Sequence, residues 1–574
     1  MIKREDGSII LTFKPKIITN NPPETSETQK QQNTHVFEDD KTKNVTPFPN
    51  FPGLPPIIIK KKSDEELQKE AEEWEKQKQE IKEQKEKEER ERFREQKLGK
   101  GTYGNVYTSE DGNVVKRYKI LENGIQVDML REISIMKLFS HPNILPCISY
   151  DLSKKEVIMP YYSYNLQDYM ENYSLTSEMI QNIFYSCCKA IYTLHCRNIV
   201  HRDIKPDNIL IKFRCSSETS VTGEDINVAL CDYGMSRPLK GDMTNKVCTI
   251  WYRPFELFVG QKDYGTELDV WSLGCVLGEM LLEEPLFPHK SGIEMIQSQL
   301  KLLGTPEKCD FNFKNVKLPR YKGDFEKTFY NVEQDSKFVL KRMLDLNPST
   351  RITVAEVLTF ITDKFHVAST STYNAYLKDF PSSFSSCFSS SSFISDADRT
   401  IMVDWLMDLR FNSALEIDDH TYFRAVSIMD QYISHVGNSE NKENKENKEN
   451  KGSNKQLVVA CSLWISSKIE GRMDEDDLVE LGDGAYDLRD LVKMEKEIVS
   501  ALNFNFLNPT LIDYLEFYDG NVYYELLNRV YAVTLYTDFL NQKSFKQVVK
   551  DCYNYEEPYV IKAHTNYKAR QFAV

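Results

Sequence analysis

The run His201-Arg202-Asp203-Ile204-Lys205-Pro206-Asp207-Asn208, HRDIKPDN over residues 201–208, is the stretch on which the fold of this chain turns. Its weight comes from what stands around it. Upstream, LGKGTYGNVY (98–107) sets Gly99, Gly101 and Gly104 between apolar residues. Glycines without side chains let a β-turn close over phosphates so that backbone N–H groups face them. Alone, such a turn fits a plain structural hairpin as well. After a hairpin turn at Asp111-Gly112 comes VVKRY (114–118), where Lys116 lies on a short strand within reach of the α- and β-phosphates of a nucleotide held under the glycine turn. The next helix carries MLREISIMKLF (129–139), whose Glu132 can pair with Lys116 and hold it. Singly, either residue reads as a solvated surface charge. Downstream, the apolar strand VALC (228–231) leads into Asp232-Tyr233-Gly234.

Taken in order, these five elements resemble a protein kinase, and residues 201–208 are similar to its catalytic loop nearly letter for letter. The resemblance implies that Asp203 orients the substrate hydroxyl and accepts its proton, and that Lys205 neutralises charge on the moving phosphoryl group. It implies that Asn208 and Asp232 hold magnesium across the nucleotide phosphates, with tyrosine replacing the usual phenylalanine after Asp232. ATP is then expected under Leu98, Gly99, Lys100, Gly101, Thr102, Tyr103, Gly104, Asn105 and Val106, against Lys116 and Glu132. The hinge is VIMPYYSYNLQDYM (157–170), with Met159 as gatekeeper. Pro160 loses only an N–H where adenine needs a carbonyl, and Tyr162 supplies the donor N–H.

The stretch TIWYRPFELFVGQKDYGTELDVWSLGCVLGEMLLEEPLFP (249–288) and the later LLGTPE (302–307) resemble the cyclin-dependent branch of that family. In that branch Arg131, Arg202 and Arg237 would gather around a phosphothreonine, and Thr244 in DMTNKVCT stands at the matching place. A phosphate of nearly two negative charges would bind three guanidiniums through charge-assisted bonds. Thr102 and Tyr103 match the pair whose phosphorylation switches the branch off, by repulsion against the ATP phosphates. Arg253 matches the residue that shapes a pocket for proline after the phosphoacceptor, so Ser/Thr-Pro substrates are expected. Three departures stand out: Pro254-Phe255-Glu256 replaces Ala-Pro-Glu, QVDMLRE (126–132) replaces PSTAIRE, and a polar stretch lies between Ile211 and Val228. Glu256 still has Arg351 to pair with, and the polar stretch reads as an exposed hairpin insertion.

Beyond a Ser/Phe-rich stretch the chain turns helical again. RTIMVDWLMDL (399–409), TYFRAVSIMDQYIS (421–434), LVVACSLWISSKIE (457–470) and AYDLRDLVKMEKEIVSALNF (485–504) resemble a cyclin box of five packed helices. Arg399 and Asp404 match a pair that ties down its first helix, Asp487 is placed to cap its last, and Lys468 and Glu495 match the residues that contact a kinase. Asp398 stands where some cyclins with a docking groove have methionine. The fold expected is thus an α+β two-lobed protein kinase followed by an all-α cyclin-box bundle.

Composition sets the limits. At 574 residues the chain exceeds one core, and 40% hydrophobic with 28% charged residues fits a globular protein with unfolded parts. Residues 1–59 read as disordered, the prolines from Pro47 to Pro56 fitting a stiff spacer better than a segment docked on an aromatic groove, and 60–92 alternate Glu and Lys as an exposed helical lead-in. The kinase is expected over 93–365, a linker over 366–395, and the cyclin-like domain over 396–507. A low-complexity insertion is expected at 438–454, and an incomplete second cyclin fold or extension over 508–574. The net charge of −14 argues against nucleic acid as a partner, and the 12 cysteines show no zinc spacing. Without a signal peptide or a spanning apolar run, the protein is expected inside the cell, in cytoplasm or nucleus, with no membrane partner.

A linker of that length spans about 30 Å as a flexible coil, which implies an effective concentration around millimolar for the tethered box. The box is therefore expected to dock on its own kinase, in cis or in a swapped dimer, and to keep Glu132 on Lys116. A non-catalytic pseudokinase scaffold would have lost Lys116, Asp203 or Asp232, and all three are present. An adaptor whose helical domain binds nucleic acid or other proteins fits the acidic charge poorly.

Overall fold

The computed structural model describes residues 2–3, 9–10, 97–100, 104–109, 111–119, 124–213, 226–239, 248–261, 264–306, 319–365, 394–412, 415, 417–439, 455–470, 475–482, 484–508, 510 and 512–513. The chain divides into two compact units, residues 1–87 and 88–574. In the first, the described residues form a hairpin pairing Ile2–Lys3 with Ile9–Ile10. The proline cluster and the charged lead-in lie outside the described residues.

In the second unit, strands β1 (Lys97–Lys100), β2 (Gly104–Thr108), β3 (Val114–Tyr118), β4 (Ser149–Asp151) and β5 (Glu156–Met159) form one antiparallel sheet in the order β1-β2-β3-β5-β4. Gly112, at φ +75°, makes the turn from β2 to β3, a conformation glycine adopts without strain. Gly104 lies opposite Tyr118 in the register, and a side chain there would run into the Arg117 carbonyl. Helix α1 (Val127–Leu138) packs on this lobe and is buried from Met129 to Met136, Arg131 and Glu132 included. It has no solvated face because the helical bundle at the chain's far end covers its other side.

The second lobe contains α2 (Leu166–Asn172) and α3 (Ser177–His195), the latter started by Thr176, whose hydroxyl accepts from the Met179 N–H. Strands β6 (Tyr164–Asn165), β8 (Ile209–Phe213) and β9 (Ile226–Leu230) form one small sheet. Strands β7 (Ile199–Val200) and β10 (Arg237–Pro238) form another. β8 and β9 pair antiparallel, so they flank the polar insertion as a hairpin would; residues 214–225 are outside the described set. After α4 (Phe255–Phe258), α5 (Glu267–Leu282) is buried from Leu268 to Met280, the apolar-all-round pattern of a central helix. Helices α6 (Gly292–Leu303), α7 (Phe325–Thr328), α8 (Gln334–Met343) and α9 (Val354–Phe365) complete the lobe. Arg351 joins Glu256 through two bonds of 2.7 and 2.9 Å, both side chains fully buried.

Among the described residues, five further helices of defined bounds follow: α10 (Asp396–Asn412), α11 (Asp419–Ser439), α12 (Lys455–Glu470), α13 (Glu475–Leu481) and α14 (Leu488–Leu502). α12 is buried from Leu457 to Glu470 and forms the axis of the bundle. Asp487 caps α14 in a reciprocal box with Asp490. Arg399 donates to Asp430 on α11 through two bonds of 2.7 Å. α11 runs on to Ser439, so the first two residues of the expected insertion are helical; the Asn-Lys-Glu repeat lies outside the described residues. Among the described residues no helix is long and apolar enough to cross a membrane.

Candidate active site and its helical support

Lys116 and Tyr118 face α1 from β3, and Asp232 faces them from the turn after β9. The Lys116 ammonium donates to Glu132 Oε2 at 2.6 Å and to Asp232 Oδ1 at 3.1 Å. Burial would pull the ammonium down, but the two carboxylates outweigh it and hold it above the ordinary lysine range. The Tyr118 hydroxyl also donates to Glu132 Oε2. Burial lifts the Glu132 carboxyl, with Lys116 and Tyr118 opposing.

The 201–208 loop is fixed from below. Asp269, fully buried in the first turn of α5, accepts from the N–H groups of His201 (2.8 Å) and Arg202 (2.9 Å) and meets His195 Nε2 at 2.9 Å. Its neighbour in the loop, Asp203, sits among three groups. Lys205 Nζ lies 2.9 Å from Oδ2, Thr249 donates its hydroxyl (2.9 Å) and N–H (3.1 Å) to Oδ1, and Asn208 Nδ2 donates to Oδ2 at 3.2 Å. Burial would push the Asp203 carboxyl up; Lys205 and Thr249 together more than offset it, so it stays below the ordinary carboxylate range. A carboxylate that is ionised and oriented in this way can take a hydrogen bond, and then a proton, from a hydroxyl.

The donor set fits magnesium. The Asn208 amide spends its NH₂ on Asp203, at its carbonyl (2.8 Å) and its carboxylate, which leaves the amide oxygen as the free acceptor. Asp232 gives Lys116 one oxygen and keeps the other. Among the described residues no three His, Cys, Asp or Glu side chains gather as a cage. Magnesium on a nucleotide uses one or two protein oxygens together with phosphates.

Of the nucleotide-facing residues expected from sequence, Gly104, Asn105 and Val106 lie on β2; Leu98, Gly99 and Lys100 lie on β1, where the backbone alone is described. Gly101, Thr102 and Tyr103 are outside the described residues. β5 ends at Met159, so Pro160 and the half-buried Tyr162 follow it into the hinge.

The second set of contacts joins α1 to the bundle. Arg131 donates to the carbonyls of Ile469 and Lys468, both at 3.0 Å. Ahead of α1, the Ile125 N–H donates to Glu495 Oε2 at 2.8 Å, and Lys468 donates to the Ile125 carbonyl at 3.0 Å and to Glu495 at 2.5 Å. At the far end of α1, Lys137 and Tyr150 both donate to Asn503 Oδ1, Tyr150 at 2.9 Å, and the Tyr150 ring meets Phe504 edge-on at 4.8 Å. Lys468 and Glu495 were singled out by sequence; Asn503, Tyr150, Tyr118 and Thr249 were not. Tyr118, Thr249 and Asn503 lie inside stretches quoted above, but their roles show only in the fold, since each acts through a partner more than a dozen residues away.

Arg131, Arg202 and Arg237 come together. Burial, then the Arg202 and Arg237 charges, pull Arg131 down to about 10. Arg202 donates to the Met235 carbonyl, at 2.7 Å from Nε, and Arg237 to the Glu470 carbonyl at 3.1 Å. Thr244 lies outside the described residues.

A two-lobed fold with this cleft, followed by five packed helices, defines a protein kinase joined to a cyclin-type bundle. Residues 93–360 match the family model of the protein kinase domain, and residues 378–507 that of the cyclin N-terminal domain. Cyclin-dependent kinase 1 of Encephalitozoon cuniculi (strain GB-M1) is 34% identical over 284 residues, which cover 45% of this chain and 91% of that protein. A chain in the crystal structure of the yeast RNA Pol II CTD kinase CTDK-1 complex is 25% identical, with a TM-score of 0.41, covering 46% of this chain and 90% of that one. The chain belongs to the cyclin-dependent serine/threonine protein kinases and carries a cyclin domain after its kinase domain.

Proposed function

We propose that this kinase phosphorylates serine or threonine followed by proline and that its own cyclin domain holds it active. The observation that carries the reading is a shared helix. Adjacent residues of α1 serve different partners, Glu132 meeting Lys116 at 2.6 Å and Arg131 the backbone of Lys468 and Ile469 at 3.0 Å. Any tilt of α1 away from the cleft breaks both sets, so docking of the box and assembly of the cleft favour one state.

Bound magnesium-ATP supplies the phosphoryl group and a cation that neutralises its charge, held by Asp232 and Asn208. Lys116 orients the α- and β-phosphates, with Glu132 holding Lys116. Asp203 accepts the proton of the substrate hydroxyl, and Lys205 offsets negative charge on the moving group. Leu98 to Val106 would cover the nucleotide when it is bound, and the Pro160 carbonyl and Tyr162 N–H would take its adenine.

Preference for proline has a local cause. Cys248 has a left-handed backbone, φ +62°, and its carbonyl accepts from Arg253 at 2.9 Å. That carbonyl is thereby turned from a substrate N–H, so a residue without an N–H loses nothing there. A phosphate on Thr244 would find the three arginines. Phosphate on Thr102 or Tyr103 would repel ATP.

Turnover on a Ser-Pro peptide, with Asp203→Asn as control, tests the chemistry. Ser-Ala in place of Ser-Pro should lower kcat/KM by at least about tenfold, and equal rates would remove the proline preference. Lys468→Met leaves Glu495 buried without its cation, which costs about 3–5 kcal/mol, and should abolish most activity; full activity would end the self-activation reading.

A further inference from the structure

Helix α6 buries Met295, Gln299 and Leu300. Residues 295 and 299 are four apart and share one face of the helix, so apolar side chains would be expected at both. Gln299 is nevertheless 0% exposed. Its Nε2 donates to the Arg253 carbonyl at 3.0 Å, while its Oε1, also buried, has no hydrogen-bond partner among the described residues. An amide with one group unsatisfied costs more to bury than an aliphatic side chain of the same length. Stability alone would favour methionine at this place. The bond to Arg253 needs another reason.

We propose that Gln299 is a positioning residue for substrate choice: by fixing the Arg253 backbone it aims the guanidinium at the Cys248 carbonyl and so sustains the preference for proline. The proposal rests on the Ser/Thr-Pro reading given above. Arg253 has few other backbone anchors. Its N–H reaches the Ile250 carbonyl only at 3.4 Å, and the next residue, Pro254, has no N–H to give. Its side chain spans from this backbone to the Cys248 carbonyl at 2.9 Å, with the guanidinium 5.6 Å from the centre of the Phe258 ring. α6 starts against that same ring, since a side chain at Gly292 would lie 3.5 Å from it. One helix thus holds both the backbone and the ring that set the arginine. Without the Gln299 donor the Arg253 carbonyl must seek another partner, and the guanidinium loses its fixed base. The Cys248 carbonyl is then free to turn toward a substrate N–H. Substrates without proline gain a hydrogen bond, and the preference weakens.

Gln299→Met keeps the length and removes the donor. The full-length chain is assayed on two peptides that differ only in Ser-Pro against Ser-Ala, and the ratio of their kcat/KM values is read. In the variant this ratio should fall about fivefold, the worth of one neutral hydrogen bond, with the Ser-Ala value rising. Both peptides meet the same molecules, so any loss of folded protein cancels in the ratio. A merely structural role would lower both values together and leave the ratio alone. An unchanged ratio overturns the proposal. A variant with no activity on either peptide overturns it too, because Gln299 would then serve folding in general. Failure of the proline reading looks different: the wild-type chain itself would turn over both peptides equally, and the proposal would fall with that reading.

Discussion

Arg202, Asp232 and Cys248 have left-handed backbones, φ +67°, +63° and +62°, and all three border the cleft. Such a conformation costs a residue with a side chain about 1–2 kcal/mol, and it persists where surrounding bonds over-determine it. At Arg202 the N–H is bound by Asp269, and at Cys248 the carbonyl is bound by Arg253. Each puts an adjacent functional group where regular backbone would not. Asp203 depends on the same kind of support from Thr249. The Thr249 hydroxyl favours the ionised carboxylate, so removing it raises the carboxyl's titration. Thr249→Val should therefore move the acid limb of kcat/KM to higher pH and lower kcat. A profile that overlays the wild type would show that Thr249 does not tune Asp203.

At the scale of elements, α1 is a helix with two buried faces, and the turn before it is as constrained as the helix. Gly124 has φ +81°, and a side chain there would lie 2.9 Å from Trp464 and closer still to Glu495. Its carbonyl is held by Lys155 at 3.1 Å. Gly124→Ala adds a left-handed penalty of about 1 kcal/mol to a clash at the bundle surface. Kinase activity should fall at least about fivefold while the thermal midpoint hardly moves, since strain at one docking surface leaves the cores intact. Wild-type activity in this variant would mean that the turn and bundle need not meet so closely.

For the whole molecule, the contacts that support the cleft join residues very far apart in sequence; Ile125 and Glu495 are 370 positions apart. A bundle tethered to its own kinase works at an effective concentration near millimolar, independent of how dilute the protein is. Specific activity should then stay constant from about 1 μM down to about 1 nM. A swapped dimer, in which each bundle serves its neighbour, would lose activity on dilution, and that result would reassign the pairing without touching the chemistry.

What the sequence determined by itself was local or ordered along the chain. The 201–208 run, the Asp232 turn, the lysine strand and the helix with Arg131-Glu132 appear in the order of a protein kinase's catalytic elements, and four later stretches resemble a cyclin box. Tertiary structure decided which groups meet. Arg399 found Asp430 on another helix, Asn503 found Tyr150, Thr249 found Asp203, and Tyr118 proved to share an oxygen with Lys116. The physical reason is one of range. Backbone conformation and periodicity depend on neighbours within a few residues, whereas the partner of a buried polar group is whatever donor or acceptor packing brings within about 3 Å of it.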